Sequence, residues 1–130
     1  MSTLAVGTIK SISSAAPVFQ NTSGTEIGQL AKVWVTYEQT TDTVERSFGV
    51  SSVSDDGTGV FTVNFTTAFA NNKYCVALAD SAPVYSGAGH CHTSLYFHNI
   101  NTGDCEFATF HDSNSGLRAD SNPVCCVFYF

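Results

Sequence analysis

Apolar and polar residues alternate along this chain, and no long stretch repeats them at helical spacing. Within residues 31–37, Val33, Val35 and Tyr37 fall on one side of an extended backbone and Lys32, Trp34 and Thr36 on the other, because neighbouring side chains of a strand point to opposite faces. The same period of two places Phe61, Val63 and Phe65 together, and Tyr74, Val76 and Leu78 together. Further strand-like runs cover 43–54, with Phe48 and Val50 as core candidates, then 93–99, 105–110 and 124–130. Turn formers separate them: Asp55-Asp56-Gly57-Thr58-Gly59, Asn71-Asn72, the glycine-containing stretch 81–89, Asn101-Thr102-Gly103-Asp104, and the polar segment 112–122. Short strands at this spacing predict an all-β chain folded as an antiparallel β-sandwich, with a jelly-roll-like order as one form of it.

Residues 1–30 are less regular and are expected to form an extended N-terminal arm ahead of a sandwich domain at 31–130. Val18, Phe19, Ile27 and Leu30 are too apolar for free solvent. The arm is therefore expected to lie on a neighbour or to attach the chain to a larger assembly; an unanchored terminus is the plainer alternative. The last strand is apolar on both sides, with Val124, Cys126, Phe128 and Phe130 on one and Cys125, Val127 and Tyr129 on the other. Such a strand needs cover on both faces. A second sheet supplies one cover, and in a small domain a sister subunit is the natural source of the other. The first set, Val124, Cys126, Phe128 and Phe130, is the expected oligomer interface.

Charge narrows the partners. Five Lys+Arg against eleven Asp+Glu give a net charge of -6. The cations stand singly, so the clustered positive charge that nucleic-acid binding requires is missing. Charged residues are 12% of the chain, against about 25% in an average soluble protein. Hydroxyls and amides hydrate the surface instead, as suits a β-rich structural protein. No apolar run approaches the roughly 18 residues of a membrane-spanning helix. The opening Met1-Ser2-Thr3 has no basic stretch and 4–12 is broken by Gly7 and Lys10, so synthesis in a reducing cytoplasm is expected. The five cysteines are then read mainly as small buried hydrophobes, with Cys125 and Cys126 pointing opposite ways.

Several words of the sequence occur together in a known setting. Ala31-Lys32-Val33-Trp34-Val35, Ser47-Phe48-Gly49-Val50-Ser51-Ser52-Val53, Asp56-Gly57-Thr58-Gly59 and Phe61-Thr62-Val63-Asn64-Phe65-Thr66-Thr67, with the opening 2–9, resemble a structural module of marine and cyanobacterial tailed phages. The resemblance covers 1–9 and about 31–78; Gly49 stands where the pattern often has Asn, and the cysteine-rich end has no counterpart. It implies a non-enzymatic virion-surface protein, a homotrimeric tail-fibre or spike tip that docks to other virion proteins through the arm and contacts the host surface. A capsid decoration protein is the alternative. A glycan-degrading enzyme is the reading from another class.

Candidate chemistry is sparse. His90-Cys91-His92 places two imidazoles on one side of a strand, and three such pairs on a three-fold axis supply six nitrogens for an octahedral metal such as iron. Some phage fibres use a His-x-His pair in this way; the ordinary reading is two loop histidines. Cys91, His92, Cys105 and His111 have the residue types for zinc but not a compact zinc spacing. Asp55-Asp56-Gly57 reads as a hairpin turn, without the spaced carboxylates of a calcium loop. Glu38, Glu45, Glu106 and Asp112 are the carboxylates from which a glycosidase pair would have to come. Trp34, Tyr85 and Tyr96 combine an apolar ring with a polar handle and are the expected contacts for a host glycan or a partner, filling of the core or the subunit seam being the other use of such rings.

Overall fold

Strand follows strand in the computed structural model, which describes Thr8 and residues 18–80, 93–111 and 118–129. The chain divides into two units, Met1–Leu30 and Ala31–Phe130. In the first, β1 (Val18–Gln20) and β2 (Glu26–Gln29) pair antiparallel. Asn21 closes the turn between them: its Oδ1 accepts from the backbone N–H of Ser23 at 3.0 Å and of Thr25 at 2.9 Å. The segment expected to be extended thus folds back on itself over this stretch.

The second unit holds β3 (Val33–Glu38), β4 (Thr43–Phe48), β5 (Val50–Gly57), β6 (Val60–Phe65), β7 (Cys75–Asp80), β8 (Thr93–Ile100), β9 (Asp104–His111) and β10 (Val124–Tyr129). One 3-10 turn, Gln39–Thr41, joins β3 to β4. Two four-stranded sheets result, ordered β4-β3-β10-β7 and β5-β6-β9-β8, and every pairing within them is antiparallel. The first and last strands of the unit, β3 and β10, lie side by side in the middle of one sheet, and β6 and β9 in the middle of the other. The protein is an all-β antiparallel sandwich.

The period of two seen in the sequence is the period of burial. Val33, Val35 and Tyr37 on β3 and Phe61, Val63 and Phe65 on β6 are buried, and Cys105 and Phe107 on β9 meet them. Aromatic rings bridge the sheets: Tyr37 lies 5.4 Å from Phe61, and Phe65 lies 5.0 Å edge-on from Phe128. Full burial of such a side chain stabilises the fold by about 1.5–3 kcal/mol, so each of these rings contributes to holding the two sheets together.

The structure corrects two expectations. Phe48 is not in the core but 59% exposed. Gly49 separates β4 from β5 with φ 70°, a left-handed conformation that breaks the strand in two and carries the chain to the other sheet. The alternation therefore restarts: Phe48 points out from the first sheet, while Val50 packs against the core. A Cβ at Gly49 would also stand 2.7 Å from the Lys32 carbonyl oxygen. The second correction concerns the expected interface. Val124, Cys126 and Phe128 are each 0% exposed within the single chain; the opposite sheet covers them, and no sister copy is needed for it. Phe130 lies outside the described residues.

Candidate functional site

The two sheets turn chemically different faces to the outside. On β5-β6-β9-β8 the outward positions around Thr62 and Asn64 are hydroxyls, amides and acids, while register sets Val60, Ala108 and Tyr96 in an apolar row across the same sheet and Phe97 on the edge strand β8 is 44% exposed. Thr62 Oγ1 donates to Asp56 Oδ2 at 2.6 Å, Asn64 Nδ2 donates to Ser54 Oγ at 3.2 Å, and His98 Nδ1 lies 2.9 Å from Glu106 Oε1. Such groups are satisfied by each other and by solvent.

On β4-β3-β10-β7 one outward row is wholly apolar. Register places Phe48 beside Trp34, Trp34 beside Val127 and Val127 beside Ala77, one unbroken row across all the strands of the sheet. The adjoining row reads Arg46, Thr36, Cys125 and Ala79. Thr36 Oγ1 contacts Cys125 Sγ at 3.8 Å. Beyond the first row, Tyr129 pairs with Cys75. Phe48 and Tyr129 are exposed, at 59% and 36%, while Trp34 and Val127 are partly covered. The inward residues of the same strands form the core, so this sheet carries a run of apolar residues on each side.

One end of the sandwich is held by polar contacts. Gln39 is buried, and its Oε1 accepts from the Ser121 backbone N–H at 2.8 Å and lies 3.1 Å from Thr109 Oγ1. The Gly59 N–H donates to Asp120 Oδ1 at 2.6 Å, and Tyr37 donates its hydroxyl proton to Asp42 Oδ1 at 2.8 Å. Burial, then the bond to Asp42, pushes the Tyr37 hydroxyl well above its usual pKa. These contacts tie β3, β9 and the approach to β10 together. A phenol held protonated and a buried amide make a strut.

The sequence candidates are distributed as follows. Trp34 lies at the centre of the apolar outer face. Tyr96 stands opposite Ala108 in the β8–β9 pairing. Tyr85, His90, Cys91, His92 and Asp112 lie outside the described residues. Cys105 is wholly buried in the core, where burial raises its pKa to about 11; a thiol that resists ionisation there is a poor zinc ligand. Among the described residues no group of three or more His, Cys, Asp or Glu side chains is placed to hold a metal. Asp55 Oδ1 accepts from the Gly57 N–H at 2.9 Å and so shapes the hairpin, as its sequence context predicts. Glu38 and Glu45 belong to one sheet and Glu106 to the other. Cys125 and Cys126 do point to opposite faces, one partly exposed and one buried, and both are free thiols. Sequence reasoning missed Phe48, Val127 and Ala77 as members of one surface. The doubly apolar last strand was the signal for it, attached to the wrong side of the strand.

Among the described residues no helix is long and apolar enough to cross a membrane. No family model, no curated protein and no solved structure matches this chain.

Proposed function

We propose that the chain is a non-enzymatic structural module of the outer surface of a tailed bacteriophage, acting by self-assembly as a homotrimeric fibre or spike tip. The observation that carries the assembly part is the apolar group on the outer face of β4-β3-β10-β7, where Phe48 is 59% and Tyr129 36% exposed beside the partly covered Trp34 and Val127. A sandwich with a complete core has no internal use for a second apolar face, and contiguous exposed apolar surface marks an interaction site. The viral part is supported by the sequence words at 31–67 and by the sparse charge. Contact with a host glycan and attachment through residues 1–30 belong to the same reading. Iron at His90 and His92 is its metal-bearing form, with the metal on the trimer axis.

Labelled antibody on intact particles tests it. Decoration at fibre or spike ends is expected. Decoration of the head at high copy number replaces the fibre tip with the second reading, a capsid decoration protein that the same two-faced sandwich suits. Particles that lack the protein refute both.

A further inference from the structure

We infer that a water molecule is bound inside one end of the sandwich, between the side chains of Ser121 and Gln39. It belongs to the single copy and is independent of assembly.

Among the described residues the buried polar side chains are Gln39, Thr109 and Ser121, and all three meet at this end. Gln39 opens the 3-10 turn after β3, Thr109 stands on β9, and Ser121 lies shortly before β10. Most of their polar groups are matched. The Gln39 backbone N–H donates to the Ser121 carbonyl at 3.3 Å, and the Ser121 backbone N–H donates to Gln39 Oε1 at 2.8 Å. Thr109 donates its hydroxyl proton to the Ala119 carbonyl.

The Ser121 hydroxyl is the exception. Ser121 is 0% exposed, and among the described residues its Oγ has no hydrogen-bond partner. A hydroxyl carries one donor and two acceptor lone pairs, and buried polar groups find a partner in the protein or in ordered water. Left bare, this one would weigh against the native state by about tenfold in the folding equilibrium. A second ligand for the same water stands on Gln39. The bond from the Ser121 N–H fixes which end of that amide is oxygen. Both side-chain contacts fall on Oε1, which leaves the N–H groups of Nε2 for another acceptor.

The chemistry of these walls selects the occupant. A cation needs carboxylates, and those at this end are engaged: Asp120 Oδ1 accepts from the Gly59 N–H at 2.6 Å, and Asp42 Oδ1 from the Tyr37 hydroxyl at 2.8 Å. An anion needs a buried positive charge, and the three buried polar side chains carry none. A hydroxyl that gives and takes, beside an amide that gives, suits a small neutral molecule that does both. Buried waters hold about three such bonds each and sit against polar walls, whereas apolar cavities stay dry. Bound here, the water joins the turn after β3 to the approach to β10.

A crystal structure of the full chain and urea unfolding of Ser121→Ala test this together. The expected crystal shows ordered water density within hydrogen-bond distance of Ser121 Oγ. The expected variant unfolds more readily, its unfolding equilibrium constant raised about threefold to tenfold, because the water has lost a ligand. A bare hydroxyl gives the opposite sign, since alanine then removes an unsatisfied group and the variant is the more stable protein. A variant of equal or greater stability overturns the inference. So does a crystal in which Ser121 Oγ bonds to protein or has no density beside it, whatever the stability of the variant.

Discussion

Replacing Phe128 by Ala, beside replacing its neighbour Tyr129 by Ala, separates the two sides of one strand. Phe128 is 0% exposed, and its ring lies 5.0 Å from Phe65, 5.9 Å from Tyr74 and 6.1 Å from Phe107. Truncation leaves a cavity among two rings of the opposite sheet and Tyr74, just ahead of β7, and should cost about 3–5 kcal/mol. Against a total stability of about 5–15 kcal/mol, that is a large share. Tyr129 is 36% exposed on the outer face, and its loss should change the stability of a single copy by no more than about 0.5 kcal/mol. Urea unfolding at submicromolar protein, with a slope of about 2 kcal/mol per molar, converts these figures to a midpoint shift of about 2 M for Phe128→Ala and about 0.25 M for Tyr129→Ala. Equal shifts, or a Phe128→Ala penalty that appears only at high protein concentration, would show that sister copies rather than the opposite sheet bury this residue.

Gly59→Ala should destabilise the fold by about 2 kcal/mol or more, because φ is 65° and a Cβ would meet the Thr109 carbonyl oxygen at 2.6 Å; thermal unfolding measures it. Gln39→Ala should cost about 1–3 kcal/mol by leaving the Ser121 N–H without its acceptor in a buried place, whereas Thr41→Ala on the same turn should cost little in the same assay. With a thiol reagent, native protein should react at exposed Cys75, while Cys105 and Cys126 react only on unfolding. Burial lifts the Cys105 thiol from 9.0 to about 11, so the unfolded chain releases this proton first. Its contribution is therefore intact below about pH 9 and should fade as pH rises toward 11, seen as a falling urea midpoint.

Much of the fold was legible because an apolar residue at every second position needs one dry face. Val33, Val35 and Tyr37, and likewise Phe61, Val63 and Phe65, are buried as their alternation requires. The alternation could not show where its phase resets. Residues 43–54 read as one strand, but a positive φ at Gly49 splits them and reverses the side on which Phe48 falls. Glycine at that position leaves both outcomes open, and only the crossing between sheets decides. The candidate surface was legible in its existence and not in its side. β10 presents Val124, Cys126 and Phe128 one way and Cys125, Val127 and Tyr129 the other, and both sets are apolar. Its pairing partners settle the matter: Cys126 aligns with the buried Val35, whereas Val127 aligns with Trp34. Register is a long-range property, set by strands about 90 residues apart, and local composition does not carry it.

The central claim is that a sandwich with a finished core keeps a second apolar face for its own kind, and Trp34 reports on it directly. It is the sole tryptophan, and it stands between Phe48 and Val127 on that face. Its emission and its quenching by acrylamide should be followed as the full chain is diluted. Emission at shorter wavelength and protection from quencher at high concentration, both lost together on dilution while the protein stays folded, is the predicted result. Emission and quenching that remain the same at every concentration would contradict the account.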